Sequence, residues 1–169
     1  METKSRILLP LDGVFFWPIF AVLIADQLSK FVIVNNLYIG ESIPREGLLR
    51  ITYVMNSGSA FSVFSGHPAF FVFASVVAIS VLLLFYSYQS TSGPWLKISL
   101  GLQMGGAIGN LIDRIRFGAV VDFIDFGWWP VFNLADSFIV VGLSILIFIL
   151  LFHRPKNERH SESVDEDRL

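Results

Sequence analysis

The chain has 169 residues, enough for one domain, and 54% of them are hydrophobic while only 15% are charged. An ordinary soluble domain carries roughly a quarter charged residues, so this composition argues against a water-soluble enzyme and indicates an integral membrane protein. The absence of cysteine excludes disulfides, thiolate nucleophiles and thiolate metal sites. The net charge of −2 gives no basis for a nucleic-acid partner.

Four apolar segments approach the length of about 20 residues that a helix needs to cross a bilayer. They run over about 14–34, 68–88, 94–112 and 131–152. The first contains charged residues and lacks a small-residue cleavage site, so it is interpreted as a retained helix and not as a signal peptide. Residues 1–169 are therefore predicted to form a single membrane-embedded domain with four transmembrane helices.

An even number of crossings returns both termini to one side of the membrane. The basic residues that mark one side are Lys4, Arg6, Lys97, Arg154, Lys156 and Arg159. The positive-inside tendency makes this side the cytoplasm, and both termini are predicted to be cytoplasmic. The margin is modest, because the arginines at positions 45, 50, 114 and 116 fall on the other side.

The remaining segments carry different patterns. Residues 35–67 contain the alternating Leu49, Ile51 and Tyr53 among turn-forming residues, which predicts a small extracytoplasmic β-structure. The tail over about 153–169 is rich in charge and serine, and it is predicted to be disordered in the cytoplasm. Glycines at positions 101, 105 and 109 repeat every four residues, a spacing that indicates close packing of the third helix against another backbone.

Several charged and amide residues lie where a membrane segment should be apolar, and each such group needs a partner or a task. Asp26 and Lys30 are four residues apart on one helical face, and a structural ion pair is the simplest interpretation. The others are expected in the same extracytoplasmic layer, namely Asn110, Asp113, Arg114, Asp122, Asn133 and Asp136. A network that only holds helices together explains any one of them, but carboxylates at one depth suggest proton chemistry or ion passage. Asp125 is expected to be a loop carboxylate in water.

The residue inventory narrows the chemistry. Of the three histidines, His67, His153 and His160, only His67 is expected near the extracytoplasmic layer, so Ser/His catalysis and zinc hydrolysis are poorly supported. Two aspartates that share a proton would serve as base and acid for the attack of water on a peptide carbonyl. This predicts an aspartyl hydrolase at the membrane surface.

Two other classes stay open at this point. A small transporter or channel could use Asp26, Asp113 and Asp136 as a proton or cation path. Its weakness is that the acidic groups cluster near one face and the second apolar segment carries no charge. A structural assembly protein would leave Asp122 without a purpose. Cleavage of a lipidated propeptide, compared with ion flux in liposomes, separates these classes.

Five short motifs resemble, in order, those of bacterial lipoprotein signal peptidase, also called signal peptidase II. They are DQLSK at 26–30, NSGSAFS at 56–62, GGAIGNLIDR at 105–114, VVDF at 120–123 and FNLAD at 132–136. One such motif would be a weak signal. Five in the right order, correctly placed relative to four apolar segments, are a strong one.

The resemblance implies a four-helix aspartyl endopeptidase of the bacterial inner membrane with its active site at the extracytoplasmic face. It would cleave the signal peptide from diacylglyceryl-modified prolipoproteins before the lipidated cysteine, with no metal or cofactor. It implies Asp122 and Asp136 as the catalytic pair. The implied substrate-binding or supporting residues are Asp26, Lys30, Asn56, Asn110, Asp113, Arg114 and Asn133. The family also implies an extracytoplasmic β-cradle, a mobile helix over the site, contact with membrane lipids and sensitivity to globomycin-type inhibitors.

Overall fold

The computed structural model describes residues 12–58, 68–88 and 93–152. Within these ranges the chain forms four helices and three strands. In chain order they are α1 (Gly13–Asn36), β1 (Ser42–Ile43), β2 (Arg50–Asn56), α2 (Pro68–Tyr88), α3 (Pro94–Phe117), β3 (Val120–Asp125) and α4 (Leu134–Phe152). The predictions for the tail at 153–169 and for His67 lie outside the described residues.

The four predicted helices are present with adjusted ends. α2 has the predicted bounds, and α1 extends slightly beyond both of its predicted ends. α3 continues past 112 to Phe117, where Gly118 adopts a left-handed φ of 70° and donates its N–H to the carbonyl of Arg114. This is a common way for a helix to end, because glycine adopts positive φ without steric cost. α4 begins three residues later than predicted, because Phe132 is still paired with Ile124 in a β-bridge.

In the ranges that the structure describes, three helices are long and apolar enough to cross a membrane, namely Gly13–Asn36, Ala69–Tyr88 and Leu134–Phe152. The protein is therefore a mostly helical membrane protein with a small sheet. α3 is less apolar than the other three, since it carries several glycines, amides and charged residues, and most of these are buried. The fourth crossing stays a prediction.

α3 packs between α1 and α4 through its glycines. A Cβ atom on Gly101 would lie 2.6 Å from the carbonyl oxygen of Phe15 on α1, and one on Gly106 would lie 2.5 Å from that of Ala135 on α4. These distances leave no room for a side chain, so the helices approach at backbone distance. The predicted packing role of the small-residue repeat is confirmed.

The three strands form one antiparallel sheet in the order β1-β2-β3. β1 and β2 confirm the β-structure predicted within residues 35–67, whereas β3 was not predicted. Along β2 and β3, Val54 pairs with Asp122 and Asn56 pairs with Val120. The sheet packs on the C-terminal end of α1 through a cluster made of Ile33, Leu37, Tyr53, Val121 and Phe123.

One end of each helix lies at the sheet. α1 leads into β1, α3 leads into β3, and β3 leads into α4. Near the start of α2, Phe71 covers Gly58, which lies just beyond β2. At the other end of the molecule a second cluster joins Phe15, Tyr86 and Leu96. α1 and α3 therefore run toward the sheet, and α2 and α4 run away from it.

Candidate active site

Asp122 occupies the middle of β3, which explains its apolar flanks. Side chains alternate between the two faces of a strand. Val121 and Phe123 pack into the cluster against α1, so Asp122 points to the opposite face. It is only 1% exposed. The sequence predicted a loop at this position, which left the apolar neighbours of Asp122 unexplained. The strand explains both these neighbours and the burial of the carboxyl group.

Asp136 lies in the first turn of α4, where it is half-buried and takes part in a reciprocal cap. Asn133 Oδ1 accepts from the backbone N–H of Asp136 at 2.9 Å, and Asp136 Oδ2 accepts from the backbone N–H of Asn133 at 3.3 Å. This arrangement satisfies N–H groups that a helix start leaves unpaired. The helix dipole also favours a negative charge in this turn.

Two asparagines link the two aspartates. Asn133 Nδ2 donates to Asp122 Oδ1 at 2.7 Å and to Asn110 Oδ1 at 3.1 Å. Asn110 Nδ2 in turn donates to Asp136 Oδ1 at 2.7 Å. Each carboxyl group therefore accepts from one of these two asparagines, and the two asparagine side chains are bonded to each other.

The second oxygen of Asp122 accepts from Asn56 Nδ2 at 2.8 Å. Asn56 is itself held at the end of β2, because its Oδ1 accepts from the backbone N–H of Gly58 at 2.9 Å. Burial raises the pKa of Asp122 to about 6; the Asn56 hydrogen bond opposes this shift, and repulsion from Asp136 adds to it. Asp122 therefore holds a proton far more readily than an ordinary aspartate.

A buried charge cluster lies beside the amides. Lys30 Nζ is 2.9 Å from Asp26 Oδ2, 2.9 Å from Asp113 Oδ2 and 3.0 Å from Asn110 Oδ1. The predicted pair of Asp26 and Lys30 is confirmed, and Asp113 completes it. Both carboxylates also accept backbone N–H groups, Asp26 from Ala135 at 3.1 Å and Asp113 from Val121 at 3.1 Å.

Arg114 faces the site from α3 and interacts electrostatically with Asp136 and Asp122. Its Nη1 donates to Ser75 Oγ on α2 at 3.2 Å. The half-buried guanidinium carries five N–H donors, and among the described residues only the bond to Ser75 uses one of them.

All nine site residues named from the sequence come together. Two further residues take part that the sequence did not single out. Gln27 Nε2 contacts Asp26 Oδ2 at 3.1 Å and Asp113 Oδ1 at 3.3 Å, and its place inside the DQLSK motif was an available signal. Ser75, the partner of Arg114, is one of three serines in an uncharged helix and carried no signal.

The expectation for Asp125 was wrong. It is the last residue of β3 and only 5% exposed. Its carboxylate accepts from Thr52 Oγ1 at 2.6 Å, and Arg50 Nη2 lies 2.9 Å away. These bonds lower its pKa to about 2. Asp125 thus ties β3 to β2, because the register places Arg50 directly opposite it.

The arrangement is a buried aspartate with a raised pKa, linked by amides to a second aspartate at the start of a membrane-protein helix. Among the residues that the structure describes, no three histidine, aspartate or glutamate side chains are grouped as metal ligands would be. Such a pair is suited to moving protons between a water molecule and a carbonyl group, which defines an aspartic peptidase class of site.

Comparisons with known proteins agree with this class. Residues 18–152 match the family described as signal peptidase II. A lipoprotein signal peptidase of Halothermothrix orenii is 46% identical over 130 residues, which cover 76% of this chain and 89% of that protein. One of Moorella thermoacetica is 46% identical over 142 residues, covering 83% and 93%. A solved bacterial membrane enzyme is 32% identical, with a TM-score of 0.78 over 85% of this chain and 96% of that one.

The chain therefore belongs to the signal peptidase II family, an aspartic peptidase family. The function predicted from its motifs, removal of the signal peptide from prolipoproteins, is confirmed at the level of the family. This assignment favours the peptidase interpretation over the transporter and the assembly protein.

Proposed function

We propose that Asp122 and Asp136 are the catalytic pair with which this signal peptidase II cuts the peptide bond before the lipid-modified cysteine of prolipoproteins. The observation that carries the proposal is the amide link, in which Asn133 holds Asp122 and Asn110 holds Asp136. Neutral amides fix the two carboxyl groups without supplying a charge that would keep both ionised. A shared proton is what an aspartic peptidase needs.

The roles of the two aspartates follow from their surroundings. Asp122, with its raised pKa, holds the proton, and Asp136 is the base. Asp136 removes a proton from water as the water oxygen attacks the scissile carbonyl carbon, and Asp122 gives its proton to the carbonyl oxygen. The tetrahedral intermediate then returns a hydroxyl proton to Asp122 and breaks its C–N bond, and the leaving nitrogen takes the proton from Asp136.

One oxygen of the pair is available for the water. Both oxygens of Asp122 accept short hydrogen bonds, and Asp136 Oδ1 accepts one from Asn110. Within the described part of the chain, Asp136 Oδ2 accepts only the longer 3.3 Å bond from the N–H of Asn133. An oxygen with weak partners and partial exposure is the natural base for a water that enters from the surface.

The proposal extends to the membrane. α3 packs along both α1 and α4, so if these two helices cross the bilayer, α3 crosses it as well. Four crossings then leave both termini on one side, which the positive-inside tendency makes the cytoplasm of the bacterium, with the sheet at the extracytoplasmic face of the inner membrane. A diacylglyceryl group keeps the scissile bond near the headgroups, which is the level at which the sheet-side ends of the helices would hold the pair.

The supporting partners are lipid-modified prolipoproteins and the surrounding membrane lipids. Of the five N–H donors of Arg114, the residues that the structure describes use one, and we assign the side chain to binding the substrate backbone. Inhibitors of the globomycin type are expected to compete for the same site, since they act on the family that the motifs resemble. Retained activity of an Arg114→Lys variant at an unchanged KM would contradict the binding role.

The catalytic pair is tested by three variants of purified protein in detergent or nanodiscs. Asp122→Asn and Asp136→Asn should each lower kcat by about 10³-fold or more, and the double variant should be hardly worse than either single one. Glu46→Gln changes an exposed carboxylate in the loop between β1 and β2 and should keep the full rate. A folded Asp136→Asn protein that cleaves at a near wild-type rate would refute the assignment.

A further inference from the structure

The orientation of Asn110 decides whether the catalytic pair is assembled. An amide side chain has an oxygen end that only accepts hydrogen bonds and a nitrogen end that only donates them. Asn110 Nδ2 faces Asp136 Oδ1 at 2.7 Å. If the amide turned over, its oxygen would face the carboxylate and the bond would be replaced by repulsion.

Two donors hold the oxygen end of Asn110 in place. Asn133 Nδ2 approaches Asn110 Oδ1 at 3.1 Å, and Lys30 Nζ approaches it at 3.0 Å. An ammonium group can only donate, so a reversed Asn110 would press its own N–H groups against the charge of Lys30. The lysine therefore excludes the reversed orientation.

All three N–H donors of Lys30 are used inside the protein. Its ammonium group has three N–H bonds, and its three close partners are Asp26, Asp113 and Asn110. The side chain is 4% exposed. Of the two roles that the resemblance left open for Lys30, substrate binding or support, these facts favour support.

The two carboxylates that hold Lys30 also contact the backbone next to each catalytic residue. Asp113 accepts the N–H of Val121, the neighbour of Asp122, and Asp26 accepts the N–H of Ala135, the neighbour of Asp136. The charge cluster is thus joined to both members of the pair, and Lys30 lies at its centre.

We propose that Lys30 is a positioning residue for catalysis, whose third N–H fixes Asn110 so that its amide nitrogen holds Asp136. It touches neither substrate nor water. This inference rests on the proposed catalytic pair and adds to it a residue, Lys30, that positions the base Asp136 through Asn110.

The test uses a substitution that leaves the net charge of the cluster unchanged. In the wild type, the carboxylates of Asp26 and Asp113 and the ammonium of Lys30 have a net charge of −1. In the double variant Lys30→Met with Asp113→Asn, only the carboxylate of Asp26 remains charged, so the net charge of the cluster is again −1. The wild type is thus the charge-matched comparison, and the reference that isolates the loss of the ammonium group is Asp113→Asn alone. Relative to that reference, we expect kcat to fall by about 10²-fold while KM changes less than about threefold, because the base is misplaced and the binding surface is intact. Lys97→Met breaks the ion pair with Asp12 at the start of α1 and should leave kcat unchanged.

A second comparison separates positioning from general stability. In the background of Asn110→Ala with Asp113→Asn, adding Lys30→Met should lower kcat no further, since the group that Lys30 positions is already gone. Retained kcat in the charge-matched variant would overturn the proposal. Loss of folding in that variant, judged by its melting transition, would also overturn it and leave Lys30 a purely structural residue. Failure of the catalytic pair itself would be recognised separately, from activity retained by Asp136→Asn.

Discussion

Two aspartates three residues apart on β3 have opposite environments. Asp122 is held by neutral amides and its pKa is raised to about 6 by burial, whereas Asp125 is held by Thr52 and Arg50 and its pKa is lowered to about 2. The same residue type can therefore carry a proton at one position and form a permanent ion pair at the other. The motif resemblance assigns catalysis to Asp122 and not to Asp125, which stays a prediction. The sequence put Asp125 in water, since its partner Arg50 lies 75 positions away.

Replacing Asn56 by alanine should shift the pH dependence of activity. The Asn56 hydrogen bond lowers the pKa of Asp122, so its removal raises that pKa. Activity that requires one proton on the pair is lost as pH rises through the apparent pKa of the pair. The decline should therefore move to higher pH in Asn56→Ala, measured as kcat/KM against pH. Asn35→Ala removes an exposed amide on α1 and should not move it; a shift of Asn56→Ala to lower pH would contradict the account.

Asp125→Asn should weaken the fold and leave the chemistry intact. Its carboxylate accepts charge-assisted bonds from Arg50, and losing them should lower the free energy of unfolding by about 1–2 kcal/mol. Because the pKa of Asp125 is lowered by folding, its contribution is present above about pH 4 and disappears as pH falls toward about 2. The difference in melting temperature from the wild type should shrink over the same range. A difference that grows on acidification would be inconsistent with this ion pair.

At the scale of the elements, apolar runs predicted the helices well, because a run of about 20 apolar residues has the length and composition of a membrane-crossing helix. The ends were less accurate. α3 continues beyond its apolar run, since Asp113 and Arg114 are stabilised by neighbouring elements that the run does not reveal. β3 was missed because its partner β2 lies far away in the sequence, and no local signal marks that pairing.

The close packing of α3 makes its glycines sensitive to single methyl groups. Gly101→Ala and Gly106→Ala should each lower the free energy of unfolding by about 1–3 kcal/mol, because the added Cβ meets a backbone carbonyl that cannot turn aside. Gly93→Ala is the matched control, since nothing lies within 4 Å of its Cβ and its φ of −62° suits alanine. Equal melting temperatures for Gly101→Ala and Gly93→Ala would argue against backbone contact between α1 and α3.

At the scale of the whole molecule, the site depends on contacts between distant segments. The motifs identified the residues, but they did not reveal that Lys30 bonds to Asn110, 80 positions away, or that Asn133 joins both aspartates. Such contacts exist only after α1, α3 and α4 have packed and β3 has paired with β2. The sequence could predict which residues come together, whereas the direction of each hydrogen bond required the fold.

The proposed topology has a direct test. Reporter fusions after Gly47, in the loop between β1 and β2, and after Leu169 should lie on opposite sides of the membrane. The first should be active as an extracytoplasmic reporter and the second as a cytoplasmic one, because three crossings, those of α2, α3 and α4, separate this loop from the C-terminus. Fusions that report the same compartment would refute the four-crossing arrangement.

The central claim, a metal-independent aspartic peptidase for lipidated substrates, is tested most directly by cleavage of a prolipoprotein by the purified protein in the presence of a chelator. The product's new N-terminus is read by mass spectrometry, with the same prolipoprotein lacking the diacylglyceryl group as the comparison. The account predicts cleavage immediately before the lipid-modified cysteine, unaffected by the chelator, much slower without the lipid and absent with Asp122→Asn. Loss of activity in the chelator, or equal cleavage by Asp122→Asn, would contradict it.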